Sequence, residues 1–117
     1  MTSNIIKIKI SEDFTKHPGG RFIKDGDNSG EEFYNDFLKP KFEEILKDPE
    51  YKLEINFDGT YGYASSFISE VFRRLVIDFK DKSKIYEKLV FVSNDDPLLE
   101  EAIKSIIDET NETDTTE

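Results

Sequence analysis

The chain has 117 residues and a mass of 13.6 kDa, the size of one small domain. Hydrophobic and charged residues each make up 36%, and ten Phe and five Tyr concentrate the apolar share into side chains large enough for one modest core. Sixteen basic against 26 acidic residues leave a formal charge of −10, which argues against nucleic acid or an anionic membrane as partner.

From the N-terminus, Ile6, Ile8 and Ile10 alternate with Lys7 and Lys9, predicting a strand with one wet face over residues 5–10. After Pro18-Gly19-Gly20, the run Arg21-Phe22-Ile23-Lys24 reads as a second short strand, so the two are expected to open the fold as an antiparallel hairpin. Asp25-Gly26-Asp27-Asn28 is a loop. Ser29, three residues before Glu32, is a capping-box signature that opens a helix over 29–47. Inside that helix Phe33, Tyr34, Phe37 and Leu38 form one stripe, while Phe42, Ile45 and Leu46 form another rotated by roughly 100°. Pro40 lies between them, so a kink or a one-residue slip there is expected to bring both stripes onto one sheet.

Asp48-Pro49 ends the helix. Leu53, Ile55 and Phe57 alternate with Lys52, Glu54 and Asn56, a strand over 53–57 that runs into a loop rich in Gly and Tyr, residues 58–64. A helix begins at Ser65-Ser66, with apolar positions 67, 68, 71, 72, 75, 76 and 79. Leu89-Val90-Phe91-Val92 is the last strand, too uniformly apolar for an exposed edge and so expected to be central with 53–57. Asp96 before Pro97 predicts a cap and first helical residue, and Leu98, Leu99, Ala102, Ile103, Ile106 and Ile107 the stripe of a third helix. The tail from Asp108 carries acids, no bases and no large apolar residue, and is expected to be disordered. The reading is α/β, β-β-α-β-α-β-α: a mixed sheet with an N-terminal hairpin followed by βαβαβα, helices packed on it, as a domain over 1–108 with an acidic tail over 109–117.

No stretch approaches the ~18 apolar residues needed to cross a bilayer, and the N-terminus lacks the basic segment and unbroken apolar core of a signal peptide. A cytoplasmic protein is expected. Asn111-Glu112-Thr113 matches a glycosylation triplet by chance.

Zero cysteines exclude disulfides, thiolate metal sites and thiol nucleophiles, and the single His17 excludes a histidine cluster. There is neither a P-loop motif nor a nucleophile elbow, and His17 reads as a surface residue. Asp25, Asp27, Asn28 and Ser29 look superficially like a calcium loop, but the glycine and final glutamate of an EF-hand are out of place. The sequence does not read as an enzyme, and neither cofactor nor metal is expected. Asp58, Gly59, Thr60, Tyr61, Gly62, Tyr63, Ala64, Ser65 and Ser66 are the informative stretch, because a parallel strand hands over to a helix N-terminus there. Either serine could simply cap the helix; alternatively one hydroxyl contacts or accepts a phosphate beside the exposed N–H groups. Tyr61 and Tyr63 either anchor a partner or cover the end of the sheet.

The element order together with Gly20-Arg21-Phe22, Asp25-Gly26, Ser29-Gly30-Glu31-Glu32-Phe33, Leu38-Lys39-Pro40 and Asp58-Gly59-Thr60-Tyr61-Gly62-Tyr63-Ala64-Ser65-Ser66-Phe67, over residues 18–80, resembles the bacterial STAS-like domain family, related to the STAS domains of anti-sigma factor antagonists. In STAS domains a serine at this strand-to-helix junction is phosphorylated by a partner kinase, which the resemblance maps onto Ser65, with Ser66 as second choice. This chain departs from the STAS pattern, with Ala64 where an acid precedes the serine and Phe67 where a glycine follows. The resemblance implies a non-enzymatic regulatory domain engaged in partner switching, bound or phosphorylated by a regulatory ATPase or kinase of the histidine-kinase type, with 58–63 as the partner-binding loop. The alternative is a small-ligand sensor holding an anion or nucleotide at the Ser65/Ser66 helix N-terminus.

Overall fold

A computed structural model describes residues 4–112. In chain order the elements are β1 (Asn4–Lys9), α1 (Ile10–Asp13), a 3-10 turn (Ile23–Asp25), α2 (Gly30–Phe33), a π turn (Tyr34–Leu38), α3 (Lys39–Leu46), β2 (Tyr51–Asn56), α4 (Ser65–Phe79), α5 (Lys82–Lys88), β3 (Leu89–Val92) and α6 (Leu99–Glu109). The strands form one parallel sheet in the order β1-β2-β3. Register sets Ile6 and Ile8 beside Leu53 and Ile55, and these beside Leu89 and Phe91, so the period-2 pattern yields one apolar face. Lys7 pairs with Glu54 on the opposite face. Strand order follows chain order, so crossovers of one hand place their helices on the same side. There α4 packs between α2 and α6.

Three expectations about the sheet are corrected. Residues 21–24 are not a strand but a bend leading into the 3-10 turn, and the sheet is parallel among the described residues rather than mixed. The physical reason is local. The N–H groups that a hairpin needs are taken by carboxylates, Phe22 donating to Asp25 and Ile23 to Glu31. β3, expected to be central, is an edge; its apolar residues are covered by packing instead, Phe91 lying against Phe57 and Phe72. β2 is the central strand.

The Pro40 anomaly resolves as a one-residue slip. A proline cannot donate to the carbonyl of Asp36, and the N–H of Lys39 reaches back five residues to Tyr34. The extra residue in the π turn rotates the second stripe back over the first. Phe33, Tyr34, Leu38, Phe42 and Ile45 are all buried in consequence, while Leu46 stays at the surface.

The segment 29–33 docks α2 against the start of α4. Ser29 is fully buried and accepts from the N–H of Glu32 at 3.0 Å. Glu32 in turn accepts from Asn28, and Glu31 from Ile23. Gly30 is required by proximity, since a Cβ there would stand 2.6 Å from the carbonyl oxygen of Phe67. Phe33 completes the segment in an aromatic cluster with Phe14, Phe37 and Phe67.

At the other end, α6 starts later than Asp96-Pro97 suggests, with Leu98 exposed rather than in the stripe. It runs to Glu109, where Thr110 is buried and Glu112 accepts from Lys80 and Lys82. The acidic segment therefore begins inside packed structure, beyond the boundary drawn at residue 108, and its remainder, 113–117, lies outside the described residues.

Candidate functional site

Parallel strands deliver their following loops to one edge of the sheet, and three loops meet there. The loop after β2 is the hub. Gly59 has φ 93° and sits so close to Ser11, just after β1, that a Cβ would lie 2.7 Å from its hydroxyl. Tyr61 donates its N–H to the carbonyl of Lys16. Toward β3, Gly59 donates to the Asp95 carboxylate at 2.9 Å.

Asp58 ties this hub to the loop after β3. One carboxylate oxygen accepts from the N–H of Asp95 at 2.8 Å and the other from the Asn94 amide at 3.0 Å. Those two bonds, the Asp95 N–H foremost, hold its carboxyl below the ordinary Asp value of 3.8. Thr60 accepts from the N–H of Gly62, whose φ of 121° turns the chain toward α4. Asp58, Gly59, Thr60 and Gly62 thus shape the loop.

The two tyrosines divide the alternatives set out for them. Tyr63 covers the end of the sheet: its ring packs on Phe57 and Phe67, and its hydroxyl donates to the Phe57 carbonyl at 2.8 Å. Burial pushes that phenol up to about 12. Tyr61 points outward, 80% exposed, with its ring stacked on His17 at 4.6 Å. A hollow of about 220 Å³ opens beside Tyr61 and Tyr63, walled by Asp95 and Asp96.

Neither serine caps α4. Ala64 occupies the N-cap position with no side-chain bond, which makes Ser65 and Ser66 the first two helical residues. Ser65 is exposed and Ser66 half-buried, and among the described residues neither hydroxyl makes a hydrogen bond.

Sequence reasoning missed Asn94 and Asp95, which complete the site from 36 and 37 residues away. Their signal was available as polar turn residues at the end of a strand, where a parallel sheet gathers its loops. His17 was read as an ordinary surface residue and proves to be the stacking partner of Tyr61. Asp25, from the calcium-like stretch, spends its carboxylate on the N–H of Phe22. Among the described residues no group of His, Asp and Glu is arranged to hold a metal ion, and no helix is long and apolar enough to cross a membrane.

A family model described as a STAS-like domain of unknown function matches residues 29–99, from the buried Ser29 cap to the first residue of α6. The chain belongs to that family. The match takes in the stretches at 29–33, 38–40 and 58–67 that carried the resemblance, while those at 20–22 and 25–26, with β1 and the 3-10 turn of this STAS-like domain, fall outside it. No curated protein and no solved structure matches the chain.

Proposed function

We propose that this STAS-like domain is a regulatory protein-interaction module whose partner, a histidine-kinase-type ATPase, docks on the loop edge of the sheet and phosphorylates Ser65. Membership of the family supports a regulatory domain in general terms. The observation that carries the finer reading is the exposed hydroxyl of Ser65, which makes no hydrogen bond among the described residues and lies four residues from a tyrosine that is 80% exposed. Tyrosine offers a large contact area at low entropic cost, and the His17 stack holds this ring out from the loop. Leu98, 72% exposed on the neighbouring loop after β3, adds a second apolar contact. Transfer joins the serine oxygen to the γ-phosphorus of ATP and releases ADP and the hydroxyl proton. The product adds about −1.5 to −2 charges at a helix N-terminus, where the dipole tolerates them, so the fold survives while a surface matched to the neutral serine does not. Asp95 and Asp96 in the adjoining hollow repel a free anion, which favours a protein partner over an anion sensor at this end.

The test is incubation with a histidine-kinase-type ATPase from the same genome and ATP, followed by mass spectrometry of the phosphopeptides. The expected product is phosphate on Ser65, retained in Ser66→Ala and lost in Ser65→Ala. Phosphate on neither serine would overturn the assignment.

A further inference from the structure

A larger hollow lies well away from the loop edge. It occupies about 940 Å³ between the segment carrying the 3-10 turn, the π turn, and the face of α4 that carries Glu70, Arg74 and Asp78. That volume is the size of a small-molecule site. Its outer lip is Phe22 and Ile23, and Ile23 is 53% exposed. An isoleucine left so open is not explained by core packing, yet its backbone is tied down: Ile23 donates to Glu31, Phe22 to Asp25, and Gly26 back to the Ile23 carbonyl. A preformed apolar wall results.

The floor is polar. Glu70, its side chain 4% exposed, lies between Arg21 at 3.9 Å and Arg74 at 3.8 Å. Tyr34, its ring buried, donates its hydroxyl to Asp78 at 2.7 Å, and Lys39 stands 3.6 Å from the same carboxylate. Each of the acids here already has a partner, Glu31 on the N–H of Ile23, Glu70 between its arginines and Asp78 on Tyr34. Donor capacity remains. An ammonium carries three N–H groups, Asp78 occupies at most one of those on Lys39, and the ammonium of Lys24 faces the Phe22 ring at 5.5 Å. Three cations, Lys24, Lys39 and Arg74, line the hollow with three carboxylates, so its wall is charge-balanced where the chain as a whole carries −10, and the N–H groups left to bind a ligand are those of the two lysines.

We infer that this hollow binds a small anionic ligand with a flat apolar body, the ring against Phe22 and Ile23 and the anionic group on Lys24 and Lys39. The site is separate from Ser65: α4 rises about 1.5 Å per residue, which puts Arg74 roughly 14 Å along the helix from it. An arene phosphate, carboxylate or sulfonate has the required chemistry, and a cation or a neutral sugar does not.

The experiment is an amide NMR titration of the full chain with naphthyl phosphate, with naphthol and inorganic phosphate as single-feature controls. Saturable shifts are expected at residues 22–24 and around Asn35 and Arg74, with either control binding at least about tenfold more weakly. Lys24→Glu and Lys39→Glu should each raise the dissociation constant about tenfold, the loss of one charge-assisted hydrogen bond. Lys104→Glu, on α6 and paired with Glu100, should leave it unchanged. Both test positions are surface lysines, and unchanged amide spectra elsewhere confirm folding of the variants. Shifts that centre on Ser65, that fail to saturate, or that survive both lysine reversals would overturn the inference.

Discussion

Replacing Gly30 with alanine sets a methyl group 2.6 Å from the carbonyl oxygen of Phe67 and 3.2 Å from its Cα. Both are backbone atoms of α4, so neither swings aside, and α2 must retreat from the contact. Overpacking of this kind costs about 1–3 kcal/mol. The better helix propensity of alanine returns at most ~1 kcal/mol, and less at a first helical position. The steric effect wins, leaving a net loss of about 1–2 kcal/mol and, for a domain of this size, a fall in Tm of roughly 4–8 °C. Thermal unfolding followed by circular dichroism measures it, with Gly20→Ala as control because a Cβ there meets nothing nearer than Asp25 at 3.9 Å. A Gly30→Ala variant as stable as the parent, or more so, would refute the close approach of α2 to α4 as the reason for the glycine.

Asp58 has a lowered folded pKa, so its contribution to stability is full above the ordinary value of 3.8 and is lost as pH falls below it; Asp58→Ala should flatten that limb of the Tm–pH curve, and an unchanged limb would show that the bonds to Asp95 and Asn94 do not persist in solution. Burial raises Tyr63 and Tyr86 to about 12 and Tyr34 further, and a raised tyrosine stabilises the fold below its unfolded value near 10 and ceases to as pH rises through the folded value. Ultraviolet titration should therefore show delayed tyrosinate formation coupled to alkaline unfolding, whereas five tyrosines ionising together near 10 in a folded chain would contradict the burial. Removing residues 110–117 deletes the bond from the Thr110 hydroxyl to the Ile106 carbonyl and the Glu112 contacts with Lys80 and Lys82, and should cost about 1–2 kcal/mol; an unchanged Tm would mean the chain after α6 contributes nothing.

Elements whose apolar periodicity is long were legible. The seven apolar positions of α4 gave its bounds, and the mismatch of stripes around Pro40 pointed to the slip that the π turn supplies. The hairpin failed because a run of two apolar residues after a glycine pair carries no period, and the carboxylates of Asp25 and Glu31, which decide the outcome, sit in the 3-10 turn and on the next helix. The place of β3 in the sheet was not readable either. Four apolar residues in a row record burial on both faces, and covering side chains such as Phe72 produce that on an edge as well as neighbouring strands do. At the site, the loop position and the glycines were visible locally, but the role of Asp58 depends on Asn94 and Asp95, far away in the chain. The serines look like caps on composition, and only the backbone shows that Ala64 takes that position. Glu70, Arg74 and Asp78 recur every four residues along α4, and that spacing puts all three on the one face that floors the hollow.

The proposal of a protein partner at the loop edge stands or falls on Ser65 and is tested most directly by calorimetric titration of the ATPase with wild type, Ser65→Ala and Ser65→Asp. Ser65 is exposed and caps nothing, so both variants should unfold at temperatures close to the parent, and the aspartate complements the helix dipole. Ser65→Ala should bind like wild type. Ser65→Asp buries an unpaired carboxylate against the partner, which costs about 3–5 kcal/mol, a loss of at least about a hundredfold in affinity. Equal affinity for wild type and Ser65→Asp would contradict the account and leave Ser65 outside the interface.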